Sequence, residues 1–465
     1  MNQQKYASIL LALFFAIITF NSQNHVFFGD MVQFGSRHAH FFFEQNFSTC
    51  WLPTHLDSGH PPIFGMYMAL CWKLFGKSLV ASHWAMFPFL LLIAFAIPRL
   101  IKNVVQGGSL VFISLLFFLE PTLRAQASLT SPDVVLIACF LWALVFYIEQ
   151  KNSLLLLALI PMSFISMRGM MLLFAFYLAT ISHQYITNKK QGLKQYLTLT
   201  LIFTPAVLLC FYWLFRHYQL TGWIGFHSDS PWASSFQTVS TSQIIKNLFL
   251  MIWRFIDFGR MTVFLFLLGF AFYQFRKKDS IKSHQLFLIL LFVFLLLVYS
   301  ANTLFADGLV GHRYYLPIYL IALLLVVQWI EHYFPNRAGI LTSIVAFSFI
   351  FGSMFVYPHK IAMGWDATPA HKPYYKLRGQ AIAYLEKNNI AINNVAAGFP
   401  SLDSREYLEL NSDTSRFQSY HLNNTEYILW SNVFNYPDEL QDSLALKKVI
   451  FEQEEDGVFM KIVER

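Results

Sequence analysis

The sequence has few charged residues and lacks the common nucleotide-binding and zinc-binding motifs. Only 13% of its 465 residues are Asp, Glu, Lys or Arg, whereas 56% are hydrophobic, 50 are Phe, and the mean hydropathy is +0.47. A globular domain of ordinary size cannot bury that much apolar surface, so the excess must face lipid. There is no Walker A motif, no GxGxxG and no Cys/His cluster, so nothing points to ATP, a dinucleotide or structural zinc.

The four cysteines do not provide a disulfide framework. Cys139 and Cys210 lie inside apolar segments, and only Cys50 and Cys71 could share a compartment. A single disulfide between these two is therefore the one pairing that the sequence leaves open.

Apolar segments long enough to cross a membrane recur along most of the chain. A helix needs roughly 20 residues to span the hydrocarbon core, and segments such as 286–300 contain no charge at all. The first segment, 8–20, lacks a small-x-small cleavage site, so we expect it to be retained as a helix. We predict a polytopic α-helical membrane protein with about eleven spans, at 6–26, 83–101, 109–120, 133–149, 153–167, 169–187, 195–216, 261–275, 284–302, 313–330 and 338–357.

Basic residues indicate the orientation of these spans. Of the 33 Lys and Arg residues only 11 lie at or after position 359, against 15 of the 26 acids, so the positive excess belongs to the membrane part. Such an excess sets orientation and contacts anionic lipid, and it gives no reason to expect nucleic acid. A cytoplasmic N-terminus puts three basic clusters inside and the C-terminal domain outside; they are Arg99/Lys102, Lys189/Lys190/Lys194 and Arg276/Lys277/Lys278/Lys282.

The same topology places two long loops, 27–82 and 217–260, on the outer face. Both are amphipathic, so we expect helices there that lie along the membrane surface. The segment after Pro61-Pro62, IFGMYMALCWKLFG, is one such helix, since proline favours a helix start.

The composition changes after Tyr357 to that of a soluble domain. We predict a transmembrane domain over 1–357 and a small periplasmic α/β domain over 358–465. Its predicted elements are a helix over 374–387 and strands over 394–398, 426–430, 447–453 and 458–463, the last two joined by an Asp-Gly turn.

Four rare ionisable residues sit at the ends of predicted spans on one face of the membrane. They are Asp30 after the first span, Asp133 at the start of the fourth, Arg168 at the end of the fifth and Arg313 at the start of the tenth. Charged groups beside apolar sequence are costly unless they line a cavity or find partners, so all four are candidate site residues. The alternative is interfacial anchoring or helix capping, and Asp133 could simply be a first-turn acid favoured by the helix dipole.

In their order along the chain these residues resemble the membrane glycosyltransferases of the GT-C fold. The resemblance is to the family 39 relatives, which include protein O-mannosyltransferases and lipid A aminoarabinose transferases. Its most specific part is HPP at 60–62 followed by KLFG at 73–76, whereas SPD at 131–133 and RYYLP at 313–317 are weaker. The C-terminal domain departs from the β-trefoil insert of eukaryotic mannosyltransferases, which leaves the acceptor open between protein, lipid A and glycan.

The resemblance implies transfer of a sugar from a polyprenyl-phosphate donor to a hydroxyl at the outer face, with inversion. Short loops favour a bacterial inner membrane and an undecaprenyl carrier. An alcohol needs a general base, for which Asp30 is the candidate, and the leaving phosphate needs a guanidinium, with Arg313 preferred over Arg168. Asp133 could hold the acceptor or orient Arg168. His60 could contact the carrier phosphate or an acceptor, or be an ordinary solvated histidine.

Metal binding and two other functions remain as alternatives. One of Glu44, His55 and Asp57 could ligate a divalent cation, and His38 with His40 invites a metal interpretation but lacks a clear third ligand. A flippase or transporter of lipid-linked sugars would need ionisable groups near span centres and broken helices in two halves. A polymerase or ligase of lipid-linked oligosaccharides would share the donor but not the HPP…KLFG pattern.

Overall fold

The computed structural model describes the chain except for residues 1, 188–192, 226, 229–236, 238, 278–280, 307–310, 359, 362 and 423. Lys189, Lys190 and Lys278 of the predicted basic clusters therefore lie outside the described residues, as does His359.

The described part of the chain before the C-terminal domain is almost entirely helical. Its α-helices are α1 Asn2–Ser22, α2 His38–Glu44, α3 Ile63–Phe75, α4 Leu79–Val104, α5 Leu110–Phe118, α6 Pro121–Ala127, α7 Pro132–Ile148, α8 Asn152–Phe164, α9 Met167–Thr187, α10 Leu193–Thr221, α11 Thr241–Ile256, α12 Met261–Lys277, α13 Ser283–Leu304, α14 Leu316–Tyr333 and α15 Ala338–Met354.

Every predicted span falls on one of these helices, and the chain is a polytopic helical membrane protein. By length and composition, however, the described residues give seven membrane-crossing helices, or nine if the bent pairs α5/α6 and α11/α12 each count as one span. The predicted spans 133–149 and 153–167 correspond to α7 and α8, which have 17 and 13 residues. Both are shorter than the roughly 20 residues of a full crossing, and leaving them out reduces the eleven predicted spans to nine.

The two predicted loop helices are also present. The segment after Pro62 forms α3, and the loop 217–260 contains α11. The axes of α11 and α12 differ by 96°, and those of α5 and α6 by 69°. Pro121 explains the second break, because its ring nitrogen cannot continue the hydrogen bonding of α5.

Helix α14 lies at the centre of the bundle. In the most apolar 18-residue stretch of this helix and the turn before it, 94% of the residues are buried, whereas the corresponding stretches of the other long helices are half buried or less. Its neighbours include α12, α13 and α15. A 3-10 turn, His312–Tyr315, leads directly into it, so the turn that carries Arg313 is anchored to the most buried helix.

Basic residues of the predicted clusters lie at one end of the bundle. Helix α4 is 26 residues long, about 39 Å. At its start His83 hydrogen-bonds the carbonyl of His25, and at its end Lys102 donates to Gln4 at 3.4 Å. Lys282 donates to Gln106 near that same end. Lys102 and Lys282 therefore lie far from the end of the bundle that carries the C-terminal domain.

The C-terminal domain is a five-stranded sheet with three helices. Its elements are α16 Pro373–Lys387, β1 Val395–Ala397, α17 Arg405–Glu409, β2 Gln418–Ser419, β3 Tyr427–Ser431, α18 Asp438–Leu444, β4 Val449–Glu455 and β5 Val458–Glu464. The strand order is β2-β1-β3-β5-β4, with β1 parallel to both neighbours and the other pairs antiparallel. The predicted helix and four strands are confirmed, and Asp456 and Gly457 both have positive φ, as a two-residue hairpin turn requires.

The domain packs directly on one end of the helical bundle. Its hydrophobic core includes Phe28, Leu129 and Phe258 from the membrane part. The N–H of Phe27 donates to the carbonyl of Leu408 at 3.0 Å. This docking brings the connector between α15 and α16 against the ends of the helices. The open pairing of Cys50 with Cys71 is not formed, since all four cysteines are free.

Candidate active site

Four of the predicted site residues meet in one ion cluster centred on Arg313. Its Nη2 hydrogen-bonds Oδ2 of Asp30, and its Nε lies 3.7 Å from Oδ2 of Asp133. Nη1 of Arg168 lies 2.6 Å from Oδ1 of Asp133. The cluster joins the segment after α1 to the first residues of α7, α9 and the turn before α14.

A fifth member, Asp366, comes from the connector to the C-terminal domain. Its Oδ2 lies 3.1 Å from Nη1 of Arg313. Burial raises the pKa of Asp366, and the neighbouring carboxylates of Asp30 and Asp133 act in the same direction, while Arg313 opposes them. Three carboxylates thus share two guanidinium groups, and no pattern in the sequence marks Asp366 as one of them.

Local structure fixes each of these side chains. The hydroxyl of Ser131 caps α7 by accepting from the N–H of Asp133 at 3.2 Å, and Pro132 occupies the first helical position. Gly29 has φ of +59°, a conformation that a side chain disfavours, and it turns the chain at Asp30. Arg168 is the second residue of α9, whereas the sequence placed it at the end of the preceding span.

The ring of Tyr314 lies beside both guanidinium groups. Its centroid is 4.4 Å from Cζ of Arg168 and 5.2 Å from Cζ of Arg313. An aromatic face attracts cations, so the ring holds two like charges near one another. Tyr314 is the first tyrosine of the RYYLP segment, and nothing in that segment alone marks it for this contact.

His60 borders the cluster as a neutral hydrogen-bond donor. Its Nδ1 accepts a hydrogen bond, 3.1 Å long, from the N–H of Met167, the residue before Arg168. Burial lowers the pKa of His60 to about 3, and Arg168 and Arg313 contribute to that shift. Because Nδ1 is an acceptor, the proton of the neutral ring is on Nε2.

A second buried network supports the turn that carries Arg313. Nε2 of His312 lies 2.6 Å from Oδ2 of Asp257, which also accepts from the hydroxyl of Tyr357. Arg260 binds Glu120 at 2.5 Å, and both side chains are 1% exposed. Glu120, Asp257 and Arg260 come from the two helix breaks, and no pattern in the sequence distinguishes them from ordinary loop charges.

The candidate metal ligands do not come together. Nε2 of His38 contacts the carbonyl of Leu56, and Nδ1 of His40 contacts the carbonyl of Ser36. Asp57 is engaged by His217 at 2.9 Å. Within the described ranges, no group of three or more His, Cys, Asp or Glu residues could hold a metal ion.

An apolar groove of about 640 Å³ adjoins the cluster. Its walls come from α3, α4, α7, α8 and α10. Phe64 and Ile165 line both this groove and a smaller pocket that contains His60 and Arg168. The KLFG part of the sequence pattern, by contrast, ends α3 on the surface, where Leu74 and Phe75 are exposed.

Comparison with solved structures identifies the fold. No protein-family model and no curated protein matches the sequence. Two crystal structures of ArnT from Cupriavidus metallidurans match, one bound to undecaprenyl phosphate and one in the apo state. Each gives a TM-score of 0.54 at 11% sequence identity over 98% of this chain and 97% of ArnT. The predicted GT-C fold, that of a polytopic membrane protein with a small C-terminal domain, is thereby confirmed.

Proposed function

We propose that this protein is a membrane glycosyltransferase that moves a sugar from a polyprenyl-phosphate donor to an acceptor hydroxyl, with inversion at the anomeric carbon. The observation that carries the proposal is the ion cluster of Asp30, Asp133, Arg168 and Arg313 beside an apolar groove. The fold adds support, since the similar ArnT structure is bound to undecaprenyl phosphate. We infer the same carrier here.

Arg313 is the main ligand of the donor phosphate in this proposal. A guanidinium offers paired donors that match phosphate oxygens, and it stabilises the charge that develops as the glycosidic bond breaks. Arg168 is the second cation, 14% exposed and held near Arg313 by Tyr314. Nε2–H of His60 adds a neutral donor at the same place.

Asp30 acts as the general base. It accepts the proton of the acceptor hydroxyl while the hydroxyl oxygen bonds to the anomeric carbon and polyprenyl phosphate departs. Arg313 bonds only Oδ2 of Asp30, and none of the described side chains bonds Oδ1, which leaves that oxygen to accept the proton. Asp133 is better suited to position Arg168 than to act as the base, because Arg168 binds both oxygens of Asp133 and the side chain of Asp133 is only 4% exposed.

The groove is suited to the polyprenyl tail. Its lining is apolar and aromatic, as Met66, Leu70 and Phe89 illustrate, and it adjoins the pocket of His60 and Arg168. A tail lying there would leave its phosphate within reach of the guanidinium groups, so the amphipathic donor matches the division between groove and cluster.

The cluster is assigned to the outer face of a bacterial inner membrane, with the N-terminus cytoplasmic. The basic residues Arg99, Lys102 and Lys282 support this orientation, because they lie at the opposite end from the cluster. The bent pairs α5/α6 and α11/α12 are broken helices of the kind a flippase uses, but the clustered charges lie at one end of the helices and not near span centres, which disfavours a flippase. A polymerase or ligase would use the same donor, and the acceptor could be protein, lipid A or glycan.

Mass spectrometry of envelope glycolipids and glycoproteins tests this proposal. Cells with the gene should contain one glycosylated acceptor that is absent without it, and cells without it should accumulate the lipid-linked sugar. An unchanged set of glycosylated molecules under conditions in which the protein is made would contradict a transferase.

A further inference from the structure

The carboxylate of Asp366 fills a position on Arg313 that the donor needs. Arg313 has three nitrogens, and each faces one carboxylate: Asp30 at Nη2, Asp366 at Nη1 and Asp133 near Nε. A guanidinium donates but cannot accept, so a phosphate can bind it in the paired manner only after one carboxylate has left.

Asp366 is the carboxylate best able to leave. Its side chain is 24% exposed, compared with 14% for Asp30 and 4% for Asp133. Asp133 is also retained by Arg168, whereas the only ion pair of Asp366 among the described residues is with Arg313. Asp30 likewise pairs only with Arg313 among the described residues, so the greater exposure of Asp366 is what distinguishes the two.

The backbone beneath Asp366 is fixed, so only its side chain needs to move. The amide of Gln126 donates to the carbonyl of Asp366 at 2.8 Å, and the hydroxyl of Thr122 donates to the carbonyl of Ala367 at 3.0 Å. Gly364 lies against His312, and a Cβ there would be 2.7 Å from the ring Nδ1. A change of side-chain rotamer is a small motion that fits this arrangement.

We propose that Asp366 is a placeholder for the donor phosphate: its carboxylate occupies Nη1 of Arg313 in the donor-free enzyme and is displaced when the lipid-linked phosphate binds. This inference rests on the proposed function, because it needs Arg313 as the phosphate ligand. It gives the connector to the C-terminal domain a direct part in donor affinity. The docked domain thereby sets how readily the site accepts its donor.

Proton uptake accompanies the exchange. Phosphate brought beside Asp366 favours the protonated acid, whose pKa burial has already raised. Donor affinity therefore falls as pH rises through the pKa of Asp366, by at most about tenfold per pH unit. The charged and titratable groups that act on Asp366 are Arg313, Arg168, Asp30, Asp133 and Tyr375.

Equilibrium binding of undecaprenyl phosphate to the full chain in nanodiscs tests the placeholder. Asp366→Asn removes the charge but keeps the size, so binding at pH 7.5 should tighten by about tenfold and its pH dependence should flatten. Asp366→Ser should also tighten binding, and it serves as a second variant because the shorter serine side chain cannot reach Arg313. Asp413→Asn is the matched control, since it neutralises another acid of this domain that pairs with an arginine, Arg405, at 2.7 Å.

Arg313→Ala separates this inference from the proposed function. If Arg313→Ala abolishes binding while both Asp366 variants bind no more tightly than the wild type, the placeholder is refuted and the phosphate ligand stands. If Arg313→Ala binds undecaprenyl phosphate normally, the assignment of Arg313 to the donor phosphate fails, Arg168 becomes the candidate ligand, and the placeholder fails as well. Weaker binding by Asp366→Asn would also refute the placeholder, because it would make Asp366 part of the binding site.

Discussion

Replacing Arg313 with lysine keeps a positive charge but removes the planar set of nitrogens. In the structure three nitrogens of Arg313 face three carboxylates, and a single ammonium cannot replace that geometry. If the donor phosphate loses one charged hydrogen bond, worth about 1.5–3 kcal/mol, binding weakens by about 10- to 100-fold. We therefore expect the Kd for undecaprenyl phosphate to rise by that factor in Arg313→Lys.

The assay is lipid binding by purified protein in nanodiscs, with thermal unfolding measured on the same samples. Arg378→Lys is the matched control, because Arg378 is also buried and pairs with a carboxylate, Glu409, at 2.8 Å in the C-terminal domain. It should alter stability and leave lipid affinity unchanged. An Arg313→Lys protein that folds normally and binds lipid with wild-type affinity would refute the assignment of Arg313 to the phosphate.

Two further predictions concern orientation and pH. Orientation can be tested with single cysteines in a background without native cysteines. Leu446→Cys, on the exposed surface of the C-terminal domain, should react with an impermeant maleimide in cells with a permeabilised outer membrane. Ser153→Cys, at the opposite end of the bundle, should be protected, and the reverse pattern would overturn the orientation. Acidification from pH 7 to 5 should lower the unfolding midpoint, because burial lowers the pKa of His60 from 6.5 to about 3, so the unfolded chain binds a proton that the folded chain excludes. His60→Gln should show a shallower pH dependence, by at most about 1.4 kcal/mol per pH unit, and an unchanged slope would argue against a buried neutral ring.

The sequence was sufficient for the helical architecture because apolar segments of membrane-crossing length are a strong local signal. It counted α7 and α8 as spans because their segments are apolar, although their helices of 17 and 13 residues are shorter than a full crossing. The small C-terminal domain was predictable for a similar reason: its hairpin has alternating residues and an Asp-Gly turn.

The ion cluster was only partly predictable. Asp30, Asp133, Arg168 and Arg313 stood out because a charge at the end of an apolar span is unusual. Asp366 did not, because it lies in a polar connector where an acid is ordinary. Glu120 and Arg260 were missed because they are 140 positions apart, and only the two helix breaks bring them together.

Sugar transfer by Asp30→Asn, measured beside wild-type protein and Asp413→Asn, tests the central claim most directly. The donor is the lipid-linked sugar that accumulates in cells lacking the gene, and the readout is the rate at which polyprenyl phosphate is released as the acceptor is glycosylated. We predict that Asp30→Asn binds undecaprenyl phosphate at least as well as the wild type but transfers sugar about 100-fold more slowly or worse, because the base is lost. Transfer at the wild-type rate would show that Asp30 only anchors the chain and would leave Asp133 as the candidate base. If neither Asp30→Asn nor Asp133→Asn slowed transfer while both blocked movement of the glycolipid between leaflets, the protein would be a flippase.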